Sequence, residues 1–305
     1  KKFTYLFFNS IILILIIIAL FKFNIFKKEE TFKIKYPEKI DKIFISDMYG
    51  NNIILKKETN KWTVNNLYNV REDVIKRICS DIKKIEIKYP VSKKAIPVVT
   101  KEMSSTAVKF IFYDRNKILK SFYVGGPTID YLGTYMKNEK SKNIYVTHIP
   151  EHNGYLTPRF NISLNQVHLS EWRSRKIINV QKEQIEYFMI DSIMFNEKKL
   201  FKIMTEIECE AFVTNKYEKN FIEILKKNKP EKEIYIKYKN HIKKETKIEL
   251  HKRYINNKSG EKILDQERML GVMDNDIFIM QKYNLKKILK ENNLEIKIFI
   301  IFNQL

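Results

Sequence analysis

The chain has 305 residues, with 57 Lys and Arg against 36 Asp and Glu for a net charge of +21, two cysteines, seven glycines and seven prolines. A hydrophobic share of 44%, with 20 Phe and 17 Tyr, supplies the apolar area for two ordinary cores and excludes disordered, collagen-like and low-complexity chains. Two cysteines exclude a disulfide scaffold and a thiolate zinc cluster. The abundance of Lys, Ile and Asn is the mark of AT-rich codons, and the lysines are mostly interleaved with Glu, as between Lys216 and Lys247. The charge therefore reads first as a solvated surface, and second as an electrostatic surface for anionic lipid or polymer; nucleic acid is not the expected partner.

From Phe3 to Phe21 no charged residue occurs, and Ile11 to Leu20 is continuously apolar. About 20 such residues span a bilayer core, so residues 1–28 are expected to form a transmembrane anchor. No small-residue cleavage site follows it, as a secretory signal would need. Lysines flank both sides, at Lys1 and Lys2 and at Lys22, Lys27 and Lys28, so charge bias gives orientation only a weak vote.

Residues 29–165 read as a first α+β module. Strands are predicted at Lys42 to Asp47, Ile53 to Lys57 and Trp62 to Asn65, with Gly50 in a turn that requires positive φ. Val74, Ile75, Ile78, Ile82 and Ile85 then repeat with a helical period over Arg71 to Lys84. A hairpin at Ala107 to Tyr113 and Ile118 to Val124 is followed by strands at Tyr131 to Met136 and Asn143 to Thr147. The stretch from Pro90 to Pro158 holds five of the seven prolines, so the irregular loops of the chain are expected to concentrate between and around these strands.

Residues 166–305 read as a second α+β module. Gln184 to Ile190 and Lys199 to Met204 form an expected strand pair, Tyr217 to Lys227 a helix, and Glu233 to Tyr238, Thr246 to His251 and Asp276 to Tyr283 further strands. The order of strand pair and helix repeats that of the first module, the pattern of a degenerate duplication.

Several residues invite functional readings. Gly125 and Gly126 follow a strand, but no Lys-Ser/Thr pair or helix follows, so the phosphate-loop fingerprint fails. A loop from Gly125 to Gly133, with Asp130 as a polar contact, is a candidate binding surface. It is expected to lie beside His152 to Arg159, with Tyr131, Tyr155 and Arg159 as anchoring groups. Trp172, Arg173 and Arg175 suit an anionic partner or, as the favoured reading, a module junction with Trp172 buried and the arginines paired to local acids. His148 and His152 are separated by Pro150 and two imidazoles leave a zinc site short of ligands, so no metal or other cofactor is expected. Cys79 and Cys209 are read as free, buried thiols ahead of a disulfide. No catalytic constellation is legible, so no catalytic residue is assigned.

The strings VGGPTIDYLGTYM (Val124 to Met136), HIPEHNGYLTPRF (His148 to Phe160) and EWRSRKI (Glu171 to Ile177), with the opening Lys39 to Asn66, resemble the domain of unknown function 4340 family in its Bacteroidota form. EAFVTN (Glu210 to Asn215), LDQERM (Leu264 to Met269) and DIFIMQKY (Asp276 to Tyr283) are similar to the end of the same proteins. The resemblance implies a single N-terminal anchor, a repeated α/β body outside the cytoplasmic membrane, association with gliding-type or other ABC transporter systems, and no established activity. The expected function is thus a non-enzymatic inner-membrane protein whose periplasmic body docks on an envelope protein, an ABC transporter component among them. The alternatives are an anionic polymer or lipid binding module, and a hydrolase using acids such as Asp130 and Glu151.

Overall fold

The computed structural model describes residues 5, 9–16, 30–59, 61–162, 168–178, 180–195, 198–213, 225, 227–239 and 245–290. The fold is α+β, built on two antiparallel sheets. Residues 9–16 are helical and exposed. Among the described residues no helix is long and apolar enough to cross a membrane; the expected span continues through residues 17–21, outside them.

The first sheet opens with a meander, β1 (Lys42–Ser46), β2 (Asn52–Glu58), β3 (Lys61–Val64) and β4 (Tyr68–Asn69). The first turn is closed by the Asp47 carboxylate, which accepts the N–H groups of Tyr49 and Asn51, with Gly50 at φ +89°. Helix α1 (Glu72–Lys84) leads to β5 (Glu86–Pro90), and α2 (Ile96–Thr106) leads to a second meander, β6 (Val108–Asp114), β7 (Lys117–Pro127), β8 (Thr134–Asn138) and β9 (Tyr145–His148). The sheet order is β4-β3-β2-β1-β6-β7-β8-β9-β5.

Alternation along the strands divides the apolar residues between two faces. Phe110, Phe112, Phe122, Val124 and Met136 meet Val74, Ile75, Ile78 and Ile82 of α1 in the main core. Tyr123, Tyr135 and Val146 pack instead with Val99 and Met103 of α2. Helix α2 was not legible as such: it lies inside the stretch read as irregular, and Pro97 sits in its first turn, where the missing N–H costs no bond.

The second sheet comprises β10 (Ile185–Ile190), β11 (Ile193–Phe195), β12 (Ala211–Phe212), β13 (Lys232–Tyr238), β14 (Glu245–Asn256), β15 (Lys262–Met273) and β16 (Asp276–Gln281), in the order β11-β10-β13-β14-β15-β16-β12. Helix α4 (Lys198–Glu206) follows the short helix α3 (Leu169–Trp172), and α5 (Lys282–Lys290) follows β16. The expected strand at Lys199 to Met204 is therefore a helix: Leu200, Phe201 and Met204 are buried on one side, a 3.6-residue rather than a two-residue period. β15 escaped the sequence reading because charged residues interrupt its apolar positions. The expected helix at Tyr217 to Lys227 and the tail after Lys290 fall largely or wholly outside the described residues.

Leu169 and Trp172 belong to the first core and Ile177 to the second, so the cores change over within 173–176.

Candidate functional site

At one end of the first sheet, the β7–β8 connection and the segment after β9 form a single cluster. The Thr128 hydroxyl, buried, donates to Asp130 Oδ1 at 2.5 Å, and the same carboxylate accepts the Leu132 N–H at 3.0 Å. Thr128 N–H donates to the Gly133 carbonyl at 2.9 Å and Tyr131 N–H to the Thr128 carbonyl at 2.9 Å, with Tyr131 itself at φ +59°. Gly133 admits no larger residue here, since a Cβ would lie 2.4 Å from Val146 Cγ1. The Thr128 bond, chiefly, and the Leu132 N–H hold the Asp130 carboxyl below the ordinary carboxylate range.

This internal network presents apolar side chains outward: Ile129 is 95% exposed, Tyr131 61% and Leu132 52%. Tyr155 lies against Tyr131, ring centroids 5.9 Å apart. The second segment is tied to the first by Thr157 Oγ1, which donates to the Gly125 carbonyl at 2.9 Å, and by the Leu156 N–H, which donates to buried Thr134 Oγ1 at 2.6 Å. Beside the tip runs a mostly apolar groove of about 500 Å³, lined among others by Tyr89, Ala95, Ile129 and Tyr135. The groove and the tip are contiguous through Ile129.

The tip lies at the far end of the β7–β8 hairpin from the N-terminal segment. Glu30 accepts hydrogen bonds from Asn138 Nδ2 at 2.6 Å and Ser141 Oγ at 2.7 Å, at the opposite end of β8. Four to five strand residues separate the two ends, about 15 Å at the usual rise per residue.

The expected site residues divide into four groups. Asp130, Tyr131 and Tyr155 are at the tip, although Asp130 is engaged in building its own turn. Gly125 is buried beneath α2 and Gly126 is half-buried: a Cβ on Gly125 would meet Met103 Cγ at 3.0 Å, and one on Gly126 would meet Glu102 Oε1 at 2.6 Å. They are packing positions, not surface ones. Arg159, expected to face a partner, instead makes a two-pronged pair with Asp81, at 2.7 Å for each bond, and its carbonyl accepts from Arg77 Nε at 3.1 Å. Asp81 sits in the buried stripe of α1, where an unpaired carboxylate is costly, and Arg159 is spent on it.

Trp172 and Arg173 hold the module junction. Trp172 is 1% exposed, and its carbonyl accepts the Arg71 N–H at 2.9 Å. The Arg173 guanidinium lies between the rings of Tyr68, 3.8 Å away in the first module, and Phe212, 3.6 Å away in the second. It also donates to both oxygens of Asp276, at 2.9 and 2.6 Å. Backbone bridges pair Val70 with Arg173 and Lys176 with Glu208, so the connecting segment is stitched to both modules. Arg175 is half-buried there and, among the described residues, its guanidinium has no carboxylate partner.

Cys79 packs against the first core and Cys209 lies in the second, and both are free. Burial pushes the Cys209 thiol up to about 11 and raises that of Cys79. Among the described residues no three His, Cys, Asp or Glu side chains stand together as a metal site.

The residues missed from sequence are Ile129 and Leu132. The signal was present as apolar residues inside a Gly/Pro-punctuated loop, but alternation drew Tyr131 to Met136 into a strand. Comparisons of the chain with protein-family models, with curated proteins and with solved structures find no match.

Proposed function

We propose that this chain is a non-enzymatic, membrane-anchored docking module whose body contacts an envelope protein through the tip formed by Ile129, Tyr131, Leu132 and Tyr155. The observation that carries this reading is a 95% exposed isoleucine on a turn fixed by side-chain and backbone hydrogen bonds. An apolar residue held rigidly in water gains nothing from folding, whereas a preorganised apolar knob lowers the ordering cost of association.

The charge-free N-terminal stretch supports the anchor. The resemblance to the domain of unknown function 4340 family supports a periplasmic body and a transporter component as partner. The Asp130 carboxylate is committed to the Thr128 hydroxyl and the Leu132 N–H, and its lowered pKa does not suit the general-acid role of the hydrolase alternative. Glu151, the other acid of that reading, is exposed and pairs with Lys84 at 3.2 Å.

The test is native-gel migration of the full chain extracted from membranes in mild detergent. The wild type is expected in a complex larger than the chain, and Ile129→Asp with Leu132→Asp is expected to release it while the melting temperature stays unchanged. Release without unfolding supports docking at the tip; a complex indifferent to both substitutions removes it. Protease added to spheroplasts tests the topology, and complete protection of the body would overturn the periplasmic assignment.

A further inference from the structure

A second feature stands on other residues. A cleft of about 580 Å³ opens where the connecting segment, Ser174 to Lys176, meets the edge of the first sheet and the start of α1. Its volume lies in the range of small-molecule sites, and the seam between two modules is where such sites commonly form.

The charges in the cleft do not cancel. Glu72 pairs with Lys76 at 3.4 Å, and Asp73 pairs with Arg71 at 2.8 Å, which satisfies both carboxylates of the first helical turn. Among the described residues Lys61, Arg175 and Lys176 have no ion pair, and Glu208 is the one lining carboxylate without one. Three cations against one anion leave an excess of two positive charges. Arg175 is the telling member, because it is half-buried and a guanidinium partly withdrawn from water is ordinarily matched by a carboxylate or phosphate. The contrast with its neighbour is direct: Arg173 is fully matched by Asp276 and two rings. Trp62, half-buried, lines the same cleft and offers an aromatic surface to a ring.

We propose that this cleft binds a small phosphate monoester, a dianion matched by Arg175, Lys61 and Lys176, whose attached sugar or base lies against Trp62. Arg175 supplies a two-pronged donor and the lysines supply point charges, which is the division of labour the two residue types support. Because both modules contribute to the walls, through Trp62 on one side and Glu208 on the other, occupancy adds contacts across the junction.

The test uses the full chain and three probes: ribose 5-phosphate, inorganic phosphate and uncharged ribose. Binding is followed by titration calorimetry and by tryptophan fluorescence, where Trp62 is the responsive residue because Trp172 is buried. The expected result is saturable binding of ribose 5-phosphate within about 1 mM, the upper end of ordinary metabolite affinities, with no response to ribose. Binding of inorganic phosphate with an affinity equal to or greater than that of ribose 5-phosphate would assign the site to the free anion and overturn the monoester reading. Arg175→Gln is expected to weaken binding by about 10-fold or more, the loss of a charge-assisted pair, while its circular dichroism spectrum and melting temperature match the wild type. Arg175→Lys should recover part of the affinity. No saturable response to either phosphate, or equal affinity in Arg175→Gln, would overturn the proposal. Neither result bears on the tip.

Discussion

Arg159 shows how far a single residue can mislead when only the sequence is read. In NGYLTPRF it follows a Pro in a loop, which suggests exposure, yet its guanidinium closes on Asp81 across 78 positions. The clue lay on the other partner: Asp81 interrupts the apolar stripe of α1 on the buried side, and a buried carboxylate demands a matched donor. Which of the chain's cations supplies it is a property of the tertiary fold and cannot be read from spacing. Arg159→Ala is therefore expected to lower stability by about 3 kcal/mol, the lower end of the range for breaking a buried pair, since about a third of the Arg159 side chain meets solvent. A urea titration measures it, and Asp81→Asn in the Arg159→Ala background should return part of the loss. A stability change within about 0.5 kcal/mol, the ordinary surface value, would restore Arg159 to the surface.

Among the elements, legibility followed period and length. The α1 stripe and the strands β1, β6 and β7 were readable because each keeps one period against one core. The four-residue turn of burial in α4 and the interrupted β15 were not, because a short or broken pattern fits more than one period. The β14–β15 pair illustrates the interruption. Its register breaks between Lys252 and Tyr254, and Asp265 fills the break. Its carboxylate accepts the N–H groups of Glu267 at 3.0 Å and Arg268 at 3.1 Å, together with the Arg253 guanidinium. Burial alone would raise the Asp265 pKa, but these donors outweigh it and the net shift is below the ordinary 3.8. A depressed folded value means that the carboxylate contributes fully above the unfolded pKa and that this contribution is lost as the pH falls through the folded one. The urea midpoint of the second module should accordingly drop below about pH 4, and Asp265→Asn should flatten that drop while lowering the midpoint at pH 7. An unchanged acid limb in the variant would assign the drop to other carboxylates.

The two sheets share a run of strand order. From β2 onward the first sheet runs β2-β1-β6-β7-β8-β9-β5, and the second runs β11-β10-β13-β14-β15-β16-β12, position for position the same antiparallel path, with an edge strand that follows a helix and precedes the four-strand run in the chain. The sequence order of strand pair and helix points the same way, while the letters of the two halves are only weakly alike. The two units are locked by Arg173, and Arg173→Ala removes both ring contacts and leaves Asp276 without its guanidinium. Limited proteolysis should then cut within 173–176 while each core stays protected, and Arg173→Lys should not rescue it because a lysine lacks the planar fork; resistance equal to the wild type would mean that the backbone bridges alone hold the junction. A locked body fixes where the tip points, about 15 Å along the hairpin from the Glu30 end of the sheet. The most direct test of docking is a photo-crosslinking residue placed at Ile129 in the full chain in native membranes, with Tyr283, 68% exposed on α5, as the control position. A discrete adduct from position 129 that is absent from position 283 and lost with Leu132→Asp is the predicted result. The same adduct pattern from both positions, or none from position 129, would contradict it.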